Sequence, residues 1–211
     1  MATKQKKYSV ILADPPWDIN QKGNYGAIKH YKLMTLERIK AMPIADLAED
    51  NCHLYLWTTN GCLREAYDVV EAWGFKTKSV CIWLKMKLGL GKYFRNSTEA
   101  LLFAVRGKLE TRCKSQPNII TGPVLRHSEK PLEQYTIIDR MSPPDAKKLE
   151  LFARHRQPGY DVWGLEAPGG SDIDIPGYPV PDSPSCIDKK VDCRRQHSQS
   201  ECTETRTKKS N

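Results

Sequence analysis

Asp14-Pro15-Pro16-Trp17 is the string whose residue types and spacing carry the most chemistry. Proline makes up about 5% of ordinary proteins, so an acid, two prolines and an aromatic in succession are rare by chance. A rigid turn over a packed tryptophan explains the prolines without requiring the acid. Alkylation of an amine accounts for all four residues. The exocyclic amine of a base such as adenine is a poor nucleophile because its lone pair is delocalised into the ring, so an enzyme must aim that pair. The carboxylate of Asp14 and the carbonyl of Pro15, side by side, would accept both amine hydrogens and leave the lone pair facing an incoming methyl group. The prolines hold the backbone that presents these acceptors. Trp17 supplies a flat face on which an extruded base stacks, a contact worth about 1 to 3 kcal/mol per base.

Such a site needs a strand to end at it. Tyr8 to Ala13 (YSVILA) reads as a buried strand stopped by the prolines, and ligands in open α/β sheets bind at the carboxyl ends of strands. His53 to Thr58 (HLYLWT) reads as a second. Between them, Thr35 caps a short helix that stops before Pro43, with another turn over residues 44–48. Asn60 is placed as the cap of an amphipathic helix, because Leu63, Ala66, Tyr67, Val70 and Trp73 fall at helical spacing and Gly74 follows at the C-terminal cap. Strands are predicted over residues 78–84, 99–105, 149–153 and 160–164, and a helix over 131–141 with proline in its first turn. The alternation predicts an α/β three-layer sandwich around a mostly parallel sheet. Trp57, Trp73, Trp83 and Trp163 fall inside these elements and are assigned to the core.

The chain has 211 residues, 39% of them hydrophobic, which is enough for one filled core and excludes a second large domain. Mean hydropathy is −0.59. The longest apolar run, Ala100 to Val105, is far short of the roughly 18 residues of a membrane span. The polar start, Met1 to Lys7, lacks the apolar stretch of a secretory signal, which predicts a cytoplasmic protein. Seven cysteines form no CxxC pair and five histidines are scattered, so neither a disulfide framework nor a metal site is expected. From Ala167 the composition turns to proline, glycine, serine and balanced charge. Residues 167–211 are therefore predicted to be a disordered tail, leaving residues 1–166 as the folded domain. The net charge of +8 belongs to that domain. Between Lys85 and Lys114, Lys85, Lys87, Lys92, Arg95, Arg106, Lys108, Arg112 and Lys114 face only Glu99 and Glu110. A polyanion is a natural partner for that stretch, with lysines that merely solubilise a small domain as the alternative.

Six strings recur in a recognisable order: ILADPPWDI (Ile11 to Ile19), HLYLWTTN (His53 to Asn60), CIWLK (Cys81 to Lys85), FRNSTEALLFAVRG (Phe94 to Gly107), HSEKP (His127 to Pro131) and KLELFAR (Lys148 to Arg154). Together they resemble the permuted, DPPW-type adenine-N6 methyltransferases, a family that includes the catalytic subunit of the messenger-RNA methylation writer and bacterial and phage relatives. The likeness covers most of residues 8–166. It implies a Rossmann-like methyltransferase fold with circularly permuted motif order, catalytic motif first and cofactor strand last. It also implies S-adenosylmethionine as methyl donor. The resemblance makes Asp14, Pro15, Pro16 and Trp17 catalytic and places Asp14 against the cofactor. Lys130 of the HSEKP-like string meets the cofactor carboxylate, while Arg154, His155 and Glu166 meet its adenosine end. HYKLMTLE (His30 to Glu37) resembles the substrate loop, making Tyr31 a second stacking residue, and Arg95, Asn96 and Glu99 lie near the target base. Ala153 stands where many members have glycine, and His155-Arg156-Gln157 shortens a longer loop.

The expectation is therefore an enzyme that flips an adenine out of nucleic acid and methylates its N6 amine. DNA is favoured over RNA by the brevity of the chain and the Phe94-Arg95-Asn96 string, by analogy with bacterial and phage members. An RNA methyltransferase and a catalytically silent nucleic-acid-binding subunit are the alternatives. Target specificity falls to the loops 21–33 and 86–126, either in a self-sufficient module or in a homo- or hetero-oligomer.

Overall fold

The structure is a computed structural model that describes residues 6–18, 33–86, 88–89, 93–124, 129–164 and 166–180. Tyr31 and residues 181–211 of the predicted tail lie outside the described residues.

Strand β1 (Tyr8–Ala13) is apolar on both sides, because it lies in the middle of the sheet with neighbours on both edges. Two short helices follow, α1 (Leu36–Lys40) and α2 (Ile44–Leu47). The Thr35 hydroxyl accepts the Arg38 amide at 3.3 Å, so the predicted cap is present. The chain then forms β2 (Ala48–Thr58), α3 (Leu63–Ala72), β3 (Lys76–Lys85), β4 (Thr98–Arg106), β5 (Ile119–Gly122), α4 (Glu133–Met141), β6 (Lys148–Leu151) and β7 (Tyr160–Trp163). Gly74 closes α3 with φ of +80°, the left-handed turn for which glycine is suited. Asn60 is not the cap of α3. A single 3-10 turn, Asn60–Cys62, precedes the helix, and the Asn60 amide donates instead to the Thr98 hydroxyl at 3.1 Å.

The seven strands pair in the order β5-β3-β4-β2-β1-β6-β7. Every pairing is parallel except those of β4, which runs antiparallel between β2 and β3. The fold is an α/β Rossmann-like arrangement, as the alternation of elements predicts. One face of β1 and β2 packs Ile11, Ala13, Leu54 and Leu56 against Ile39, Leu47, Val69 and Val70 from α1 to α3. The other face packs Val10, Leu12, Tyr55 and Trp57 against Tyr135 and Ile138 of α4. Three fully buried tryptophans donate their indole N–H: Trp57 to the Gln134 side chain at 2.7 Å, Trp73 to the Ile39 carbonyl at 2.9 Å and Trp83 to the Gly122 carbonyl at 3.2 Å.

Residues 167–180 do not behave as the predicted disordered tail. Arg156 donates to the Asp172 carboxylate through Nη1 (3.0 and 2.9 Å) and to the carbonyls of Pro168 and Gly170. Asp172 also accepts the Val162 amide. Ile175 is buried in the α1–α3 core, and the Tyr178 hydroxyl donates to the Arg38 carbonyl at 2.8 Å. Proline and glycine dominate the composition here, but widely spaced apolar residues anchor the segment.

Chain connectivity makes a crevice beside β1. From β1 the chain crosses to β2 on one side and returns later as β6 on the other, and at such a reversal the loops at the carboxyl ends of the strands diverge. Asp14 is the first residue beyond β1 at that end.

Candidate active site

Pro15 and Pro16 have no amide hydrogen and end the β1 ladder. The chain is then fixed by short bonds: the Trp17 amide donates to the Pro15 carbonyl at 2.9 Å, and the Met34 amide donates to the Pro16 carbonyl at 2.9 Å. The Pro15 oxygen is thus engaged rather than free, though a carbonyl oxygen keeps a second lone pair. The Trp17 ring is 9% exposed, packs with the α1–α3 core and donates its indole N–H to the Trp57 carbonyl at 3.1 Å. That placement corrects its expected role as a stacking face. Trp17 instead ties the DPPW turn to β2.

Lys130 reaches Asp14 from the loop before α4, with Nζ 2.6 Å from Asp14 Oδ2 and 3.3 Å from Glu99 Oε2. Lys85 at the end of β3 pairs with the other oxygen of Glu99. Two lysines and two carboxylates from β1, β3, β4 and the α4 loop therefore form one alternating chain, with Lys130 lying 5.6 Å over the Trp57 ring. Burial alone would drive Lys130 toward its neutral form, but Asp14 and Glu99 outweigh it and hold the ammonium above its ordinary range. The same balance acts on Glu99: burial would raise it, while Lys130 and Lys85 hold it below the ordinary carboxylate range.

A cleft opens beside this ion-pair chain, lined by Asp14, Lys130, Gln134, Glu150, Phe152 and His155, with Leu12, Trp57, Glu129 and Arg154 completing it. Phe152, just beyond β6, has φ of +62°, the one non-glycine left-handed residue among those described. Such strain costs of order 1 kcal/mol or more, and it bends the chain after β6 around the mouth of the cleft.

The structure thus brings together Asp14, Glu99, Lys130, Arg154 and His155. Glu166 is half exposed and stands 4.0 Å from Arg154 Nε, at the rim rather than in the lining. Arg95 and Asn96 are exposed on the β3–β4 hairpin and do not line the cleft. Tyr31 lies outside the described residues.

Sequence reasoning missed Glu150. Its carboxylate is buried in β6, accepts the Tyr135 hydroxyl at 3.1 and 3.0 Å, and faces the cleft. Burial raises it to about 7; the Tyr135 bond opposes this and the Asp14 charge adds to it. The Tyr135 hydroxyl also lies 2.7 Å from His155 Nε2. The signal was present in KLEL, where one acid interrupts an otherwise apolar strand. Among the described residues, no group of three or more His, Cys, Asp or Glu is placed to hold a metal, and no helix is long and apolar enough to cross a membrane.

The model of the MT-A70 family matches residues 8–166. The chain belongs to the MT-A70 family. Among curated proteins it is 33% identical over 196 residues to the Type II methyltransferase M.MunI of Mycoplasma sp, a match covering 82% of each chain. It is 32% identical over 156 residues to a putative N(6)-adenosine-methyltransferase MT-A70-like protein of Medicago truncatula. It is 29% identical over 174 residues to the N(6)-adenosine-methyltransferase catalytic subunit METTL3 of Homo sapiens. These matches cover 70% and 77% of this chain but only 24% and 29% of those relatives. Within the MT-A70 fold the matched span runs from β1, which presents Asp14, to the loop carrying Glu166.

Proposed function

We propose that this MT-A70 methyltransferase transfers a methyl group from S-adenosylmethionine to the N6 amine of adenine in DNA. The ion pair of Lys130 and Asp14, 2.6 Å apart in a cleft at the carboxyl end of β1, is the observation that carries the reading.

The donor set suits the cofactor, whose amino-acid end carries one carboxylate and one ammonium. Lys130 has three donor hydrogens and directs them at Asp14 and Glu99, leaving capacity for a third anion. Glu150 is a buried carboxylate whose only hydrogen-bond donor among the described residues is an uncharged hydroxyl, so a cation entering the cleft would be stabilised beside it. Lys130 would hold the carboxylate, Glu150 the ammonium, and Arg154 and His155 the adenosine end, with Glu166 accepting from ribose at the rim. When bound, the cofactor supplies an electrophilic methyl group on a positively charged sulfur.

Every other part is played by the chain itself. Asp14 accepts one amine hydrogen and the remaining lone pair of the Pro15 carbonyl accepts the other, which points the nitrogen lone pair along the attack line. Lys130 keeps Asp14 in place. The surplus proton leaves the nitrogen after transfer has made it cationic, with the Asp14 carboxylate as the nearest acceptor.

DNA is preferred because the match to M.MunI extends over most of both chains, whereas the N(6)-adenosine-methyltransferases share about a quarter of their length. The RNA reading draws on those same relatives. The two separate on mapping N6-methyladenine in DNA and RNA from a host that expresses the chain, with Asp14→Ala as the control. The account predicts new marks in DNA that vanish in the control; marks confined to RNA overturn the choice of DNA.

A further inference from the structure

The β3–β4 hairpin holds a feature that methyl transfer itself does not use. Its base is tied by the Lys85 amide bonding to the Ser97 carbonyl at 2.7 Å, and farther out the Gly89 amide bonds to the Asn96 carbonyl at 2.8 Å. At Gly89 a Cβ would stand 2.6 Å from that same carbonyl, so the narrow arm requires glycine there. Beyond this rung stand Tyr93 and Phe94, each 88% exposed, with Met86 and Leu88 exposed at 74% and 67% along the arm. Two neighbouring aromatics almost wholly in water cost solvation and contribute nothing to the core, and such patches mark interaction surfaces.

We propose that Tyr93 and Phe94 form a stacking platform for unpaired bases flanking the target adenine. The proposal rests on the nucleic-acid reading above and names the form of the strand. Three observations favour this occupant over a protein. From Met86 to Asn96 the sequence holds Lys87, Lys92 and Arg95 and no acid, the charge that a phosphate backbone selects and that protein-docking cores avoid. Both side chains are flat, and aromatic faces accept any base. The hairpin is also aimed by the catalytic cluster, since Lys85 at its base is paired with Glu99, and Glu99 with Lys130 beside Asp14. A base held at the tip is thereby placed in fixed relation to the amine held at Asp14.

Two double variants separate stacking from general apolar contact: Tyr93→Leu with Phe94→Leu, which keeps the oily surface and loses the planes, and Tyr93→Trp with Phe94→Trp, which keeps both. Affinity for a fluorescent single-stranded oligonucleotide containing one adenine is read by anisotropy, and methyl transfer to the same oligonucleotide by KM and kcat. The leucine pair is expected to weaken binding and raise KM at least tenfold while kcat changes less than twofold, with the tryptophan pair near wild type. An equal shift in melting temperature on adding S-adenosylhomocysteine verifies that the cleft is intact in each variant. Unchanged affinity in the leucine pair overturns the proposal. So does a change confined to the mass of the protein in solution, which would assign the tip to a protein partner. Binding is read without turnover, so an inactive wild type would count against the methyltransferase reading and leave the platform to be judged by anisotropy alone.

Discussion

Lys130 is the residue on which the charges of the site converge, because its ammonium is buried between Asp14 and Glu99 and is compensated by them. Lys130→Met removes the cation from two carboxylates of which Lys85 can relieve only Glu99. Losing one member of a buried charge pair costs about 2 to 5 kcal/mol. Calorimetry should therefore record at least a tenfold loss of S-adenosylmethionine affinity, and thermal unfolding a lower midpoint. Glu150 gives the opposite sign. Its carboxyl sits at about 7 against an ordinary 4.5, so the unfolded chain releases the proton first and the folded state is progressively penalised as pH rises from about 4.5 to about 7. Glu150→Gln keeps the acceptor for Tyr135 and removes that penalty. The variant should match wild type near pH 4.5 and exceed it by roughly 1 to 3 kcal/mol above pH 7. Unfolding curves at the two pH values check this, and a pH-independent difference would contradict it. The same substitution should weaken cofactor binding, since the added stability comes from removing the charge that receives the ammonium.

Elements differed in how far local sequence could foretell them. β1 was readable because an apolar run meets two prolines, and α3 because its apolar spacing closes on Gly74. β5 was missed because Ile119–Gly122 is four residues long, with exposed and buried positions alternating, and its identity is set by pairing with β3. The antiparallel sense of β4 was likewise invisible, because strand direction depends on a connection such as the β3–β4 hairpin rather than on residue pattern. Asn60 was misread because the same residue type can cap through its side-chain oxygen or donate through its nitrogen, and here Nδ2 donates to Thr98. Gly164 tests how tightly the strand ends are packed. A Cβ there would stand 2.3 Å from the Ala153 carbonyl oxygen and 2.4 Å from its amide nitrogen, both backbone atoms of the segment after β6. Gly164→Ala should cost about 1 to 3 kcal/mol of stability and weaken the cofactor end of the cleft, which thermal unfolding with and without S-adenosylhomocysteine would register.

At the scale of the whole molecule, the site was legible as a list of strings and illegible as a geometry. Asp14, Lys130 and Glu99 are distant in sequence and meet because β1, β4 and the α4 loop end at one crevice. Trp17 carried the right chemistry for stacking, yet burial against Trp57 and the core decided its role. Residues 167–180 were misassigned because composition averages over prolines and misses single anchors such as Ile175. This segment crosses from the β7 end to α1, so it closes one face of the domain. Truncation after Glu166 should remove the Ile175 anchor, uncover the part of the α1–α3 core it packs against, and take away the Asp172, Pro168 and Gly170 partners of the Arg156 guanidinium, lowering the melting temperature by several degrees. An unchanged melting temperature would show that the strap adds nothing to the fold.

The central claim is that Asp14 aims the amine while other residues hold the donor. Methyl transfer from labelled S-adenosylmethionine to an adenine-containing oligonucleotide, compared between wild type and Asp14→Ala with cofactor affinity measured alongside, tests it most directly. The account predicts a fall in kcat of at least about 100-fold with cofactor affinity within tenfold of wild type. Turnover retained near the wild-type rate would contradict it.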